Sequence, residues 1–162
     1  MQPYPNSPES DPVPAAKEHA PPSVKTAVTL IWASVALGLI STLVTFFLLD
    51  DIVDTGMQGT SGADRDTVQV GVIVGAIVGF VFTVAIAALF AYFISKGANW
   101  ARIIYTVLLG LGILLNLFAL FGTQPAILLI LTVVSIALSV AIVFFLYRPD
   151  SNRYFAKDKV AH

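Results

Sequence analysis

No Asp, Glu, Lys, Arg or His interrupts four blocks of this sequence, 26–49, 70–94, 103–121 and 126–147. They are 24, 25, 19 and 22 residues long and hold 90 of the 162 residues. A helix rises about 1.5 Å per residue, so roughly 20 apolar residues cross the ~30 Å hydrocarbon layer of a bilayer. Composition points the same way: 57% of the chain is apolar and 12% charged, where soluble domains run near half and about a quarter. One water-facing core cannot hide that much apolar surface behind so few charges. A soluble enzyme, a nucleic-acid-binding module and a disulfide-stapled secreted domain are excluded. The expected fold is all-α: a polytopic membrane protein with a four-transmembrane-helix bundle. Its spans are placed at about 26–49, 68–95, 101–121 and 126–147, inside a membrane domain of 24–148.

The flanks read differently. Residues 1–23 carry seven of the nine prolines and show no hydrophobic period. Such a segment cannot bury enough apolar surface to offset its ordering entropy, so a disordered, Pro-rich cytoplasmic tail is expected. It serves either as a solvated tether or, through Pro5-x-x-Pro8, as a docking peptide. The block at 26–49 is too long for a signal-peptide core and is expected to stay as the first span. Between spans one and two, 50–69 reads as the longest loop, with Ser61–Asp64 matching a capping box and Asp64 and Asp66 suiting the positive end of the second helix. Residues 95–102 form a short basic turn. The four residues 122–125 force spans three and four into an antiparallel hairpin. Pro149 blocks continuation of the fourth helix and opens a basic cytoplasmic tail, 149–162.

Charge sets the orientation. The N-terminal tail, the second loop and the C-terminus together hold Lys17, Lys25, Lys96, Arg102, Arg148, Arg153, Lys157 and Lys159, eight of the nine basic residues. The other side has only Arg65, beside Asp50, Asp51, Asp54, Asp64 and Asp66. The positive-inside rule then places both termini in the cytoplasm and the acidic loop outside. Trp100, Tyr92, Tyr105 and Tyr147 lie near the cytoplasmic ends of their blocks, where amphipathic rings favour the headgroup layer. Trp32 lies deeper, two turns into the first span, and suits packing between helices. Trp100, Arg102, Tyr147, Arg148 and Arg153 are the expected membrane-interface residues, with Asn99 capping the third helix and Arg102 snorkelling to phosphates.

Inside the spans the clearest pattern is a four-residue series of small side chains, Gly71, Gly75, Gly79, Thr83, Ala87 and Ala91. Residues four apart share a helix face. Lipid is as apolar as Leu, so helices in a bilayer associate by close backbone approach, which a small-residue groove permits. The groove packs either against the chain's own helices or against another protein or copy. Ser34/Gly38/Thr42 and Ser135/Ser139 repeat the theme more weakly. Asn116 is the one carboxamide within a span, read as an interhelical hydrogen bond or a solute contact.

Chemistry-bearing motifs are missing. No ionisable side chain lies deep in a span, where proton relays and ion-coupled carriers place them. His19 and His162 sit in opposite tails, cysteine is absent, and the loop aspartates lack an EF-hand pattern. No catalytic, cofactor-binding or metal-ligating residue is assigned, and no nucleic-acid partner. The stretch 148–157, RPDSNRYFAK, reads either as a basic stop or as a short helix capped by Asp150 or Ser151. As a helix it would lie along anionic headgroups, with Tyr154 and Phe155 on one side and Arg153 and Lys157 on another.

Two stretches, KGANWAR at 96–102 and YRPDSNRYF at 147–155, together resemble the "KGxNWAR" turn and "RPxSxxYF" ending of an uncharacterised family of four-helix integral membrane proteins from actinobacteria, many with a proline-rich N-terminal tail. Ala98 stands where such proteins often carry another basic residue. The resemblance implies a multi-pass protein of a bacterial plasma membrane and carries over no activity. The functional expectation is a non-catalytic membrane component, an accessory or scaffold subunit that docks on another membrane protein or on itself, with lipid, anionic lipid included, as its other partner. The alternative is an oligomeric passive channel or small-solute exporter, with Ser34, Thr42, Asn116 and Ser139 facing a pore.

Overall fold

The computed structural model describes residues 20–58, 62, 64–122 and 124–156. Of the expected N-terminal tail (1–23), residues 1–19 lie outside them, as do Lys157, Lys159 and Ser61 of the capping box, whereas Pro22 and Ser23 belong to the first helix and Ser23 is buried. Six helices follow one another: α1 (Pro22–Phe47), α2 (Leu49–Gln58), α3 (Arg65–Ser95), α4 (Asn99–Ala119), α5 (Ala126–Leu146) and α6 (Pro149–Ala156). There is no strand among the described residues. The fold is all-α, and α1, α3, α4 and α5 are each long and apolar enough to cross a membrane. In the most apolar stretch of each, only 6–11% is buried inside the protein. Burial among their own neighbours therefore does not account for these side chains, and lipid contact does.

Local chemistry sets the boundaries. Pro22 occupies the first turn of α1, where its missing N–H costs nothing and its fixed φ suits the helix. Pro125 precedes α5 and Pro149 opens α6 by the same logic. Between α3 and α4 the chain reverses at Gly97, with φ +86°. Its N–H donates to the carbonyl of Ile94 at 3.0 Å, and that of Ala98 to Phe93 at 3.1 Å, the paired bonds of a Schellman turn.

Three sequence expectations change. The loop at 50–69 contains a helix, α2, which presents Asp50 and Asp54 to Arg65 and buries Val53. The second span starts at Arg65, with extended Asp64, which makes no side-chain cap bond, directly before it and Asp66 in the first turn. Likewise Ala98, not Asn99, stands before α4.

The helices close into a ring in which α1 packs on α3 and α5, and α4 packs on the same two from the opposite corner. Packing is lopsided along the bundle. The end bearing Lys25, Lys96, Arg102 and Arg148, here the basic end, holds nearly all of the buried core, including Val24, Ile31, Phe90, Ile94, Tyr105 and Leu146. At the acidic end Val53 is the one fully buried apolar residue among the described residues. Tyr105, expected at the headgroup layer, lies instead in the core at 5% exposure, with its ring 5.4 Å from that of Phe90.

Candidate functional site

The most elaborately built region is a cap over the basic end. Helix α6 is amphipathic: Ser151 and Phe155, four residues apart, are buried, while Asn152 and Arg153 are exposed. Phe155 is 1% exposed and joins the core of the bundle. Phe155 is thus turned onto protein, and Arg153 keeps the outward position expected of it.

Polar contacts to four helices, α1, α5, α3 and α4, fasten α6. Ser23, at the start of α1, donates to Asp150 at 2.5 Å, and its oxygen stands 2.7 Å from that of Ser151. The Ser151 hydroxyl in turn donates to the Phe145 carbonyl at 2.8 Å. The Tyr154 hydroxyl donates to the Ser95 carbonyl at 3.0 Å, and its ring lies over Gly97 so closely that a Cβ there would meet it at 3.2 Å. Arg102 makes the contact from α4. Its guanidinium stands 4.6 Å from the Tyr147 ring centre and 4.8 Å from that of Phe155, and it donates to Asn152 Oδ1 at 2.7 Å and to the Leu146 carbonyl at 3.3 Å. Stacking between rings suits the planar, weakly hydrated guanidinium. Arg102 is therefore half-buried in the cap rather than extended to phosphates, and the KGANWAR and YRPDSNRYF stretches meet face to face.

Of the other expected interface residues, Trp100 is 49% exposed and packs on Phe90 and Phe93 at 6.3 and 5.0 Å between ring centres. Tyr147 and Arg148 are exposed, Arg148 lying over Phe144 and Phe145.

The small-residue series of α3 divides in two. Ala87 and Ala91 are buried at 3% and 4%, against the core at the basic end. Gly71, Gly75, Gly79 and Thr83 are exposed, and a Cβ at any of the three glycines would meet nothing within 4 Å. The close approach that glycines permit is thus not made there by the chain's own helices. On α1, Gly38 does face a neighbour, with the Phe80 ring 3.8 Å from where its Cβ would stand.

Asn116 donates to the Gly112 carbonyl of its own helix at 2.8 Å, not across helices. Ser34, Thr42 and Ser139 likewise bond carbonyls of their own helices, of Ile31, Gly38 and Ser135. At the acidic end α2 and the start of α5 enclose an open cavity of about 620 Å³, lined by Ile52, Thr55, Gln58, Gln124 and Leu128 among others. The cap on α6 was hidden from the sequence because its partners lie up to 128 residues apart; the aromatic pair beside two arginines was the available signal. No protein-family model matches the chain, and comparison with the curated proteins and with the solved structures finds no match.

Proposed function

We propose that this chain is a non-catalytic component of a bacterial plasma membrane, an accessory or scaffold subunit that docks through the acidic-end half of α3 to another membrane protein or to a second copy. One observation supports the reading above others: Gly71, Gly75 and Gly79 share a face that none of the described helices approaches. In a bilayer such glycines contribute to stability when another backbone lies against them, because contact area replaces the absent hydrophobic drive. Both termini are assigned to the cytoplasm on the charge asymmetry.

The test is Gly75→Leu/Gly79→Leu in the full chain, followed by affinity purification in mild detergent with mass spectrometry. Loss of co-purifying subunits or of self-association, with helicity unchanged, is the expected result. An unaltered partner set from a folded variant defeats the assignment. The channel alternative has less support, since Ser34, Thr42, Asn116 and Ser139 are already bonded to their own helices. Solute flux through liposomes carrying the purified protein would revive it.

A further inference from the structure

On the basic-end half of the bundle a crevice of about 350 Å³ opens between α1 and α3. Val28 and Trp32 line it from α1, and Ala88, Ala91, Tyr92 and Ser95 from α3. The two alanines leave the space, and the two rings stand at its sides, Trp32 49% and Tyr92 58% exposed. Trp32 is the aromatic residue that sits too deep for a headgroup belt and yet is not packed away between helices.

Cations mark one end of this crevice. Lys25 precedes Trp32 by two helical turns and so lies on the same face of α1, with Val28 between them. Lys96 directly follows Ser95, and its ammonium stands 5.6 Å from the Tyr92 ring centre. Neither lysine forms an ion pair among the described residues, where the ion pairs belong to Arg65. Arg102 is already engaged by Asn152, Tyr147 and Phe155.

We propose that the crevice is a binding site for one anionic phospholipid, with its phosphate between Lys25 and Lys96 and an acyl chain along Ala88 and Ala91 between Trp32 and Tyr92. Depth and charge agree with that occupant: the lysines stand at the helix ends, where headgroups lie, and the apolar slot runs inward from them. Each lysine near an anionic headgroup is worth about a fivefold preference over a zwitterionic one. The site is separate from the glycine face of α3 at the acidic end, so the two proposals stand or fall independently.

The sequence holds two tryptophans, so a Trp100→Phe protein leaves Trp32 as the sole fluorophore. This protein is reconstituted into phosphatidylcholine vesicles containing a minor fraction of either phosphatidylglycerol or phosphatidylcholine brominated on the acyl chain. Brominated phosphatidylglycerol is expected to quench Trp32 at a mole fraction at least about fivefold lower. Lys25→Gln/Lys96→Gln should abolish the difference. Ala88→Leu, which fills the slot and keeps both lysines, should abolish it too. Equal quenching by the two lipids overturns the proposal. So does a preference that survives Ala88→Leu, which would mean diffuse attraction to a basic surface. Protection of Trp32 from both lipids also overturns it, and would mean that protein covers the crevice.

Discussion

At position 97 the backbone takes φ +86°, a conformation that costs a residue with a Cβ roughly 1–2 kcal/mol, and the Tyr154 ring leaves little room for one. Gly97→Ala should therefore lower stability in detergent by about 1–2 kcal/mol. Gly75→Ala, on an open helical face, should be neutral or stabilise by up to ~1 kcal/mol. Thermal unfolding followed by circular dichroism separates the two. Asp150 offers a second residue-scale test. Its carboxyl is held below the ordinary value of 3.8, first by the hydrogen bond from Ser23, then by backbone N–H groups and Arg148. A carboxyl depressed in the fold adds stability that is fully present above its unfolded value and disappears as pH falls through the folded one. The cap should thus loosen in acid, below about pH 4, and Asp150→Asn should lack that acid-dependent part. Thermal midpoints measured from pH 3 to 6 in both proteins check the difference. Of these features the glycine in a basic turn was visible in the sequence, whereas the Ser23–Asp150 contact, between residues at opposite ends of the chain, was not.

Among the elements, α6 depends most on its surroundings. Eight residues are too few for a helix to persist alone in water, so tertiary contacts must hold it, and Arg102 supplies several of them. Arg102→Lys keeps the charge but loses the planar fork and its stacking between Tyr147 and Phe155. The attachment of α6 should weaken by about 2 kcal/mol, or roughly 30-fold in its opening equilibrium. Hydrogen exchange should rise across 149–156 and stay unchanged through α1 and α3. Helix α2 shows why short elements escaped the sequence reading. Its Asp, Thr and Gly residues resemble those of a loop, and α2 is secured by burial of Val53 and by the pairing of Asp50 and Asp54 with Arg65. These are contacts with α3 that no local pattern announces.

For the whole molecule, sidedness has a direct test, because the chain has no cysteine and single cysteines can be placed at will. Asp66 and Arg153 are both exposed and lie at opposite ends. On intact cells a membrane-impermeant maleimide should label Asp66→Cys at once, and Arg153→Cys only after permeabilisation. The reverse pattern would invert the assigned topology. The same lopsidedness in packing, a dense core at the basic end and an open acidic end, predicts where docking variants will be tolerated: substitutions on the outer face of α3 should disturb the fold less than those at Ala87 or Ala91.

The sequence by itself determined the class of fold, the number of spans and their limits to within a few residues. Hydrocarbon of fixed thickness demands uncharged stretches of fixed length, and that demand is written locally. Tertiary structure alone decided how the ends are finished: which aromatic residues are buried and which stay exposed, that Arg102 is clasped between rings, that α2 exists, and that the glycines of α3 remain open. Those outcomes depend on pairs of residues distant along the chain, and neither hydropathy nor helical period carries information about such pairs.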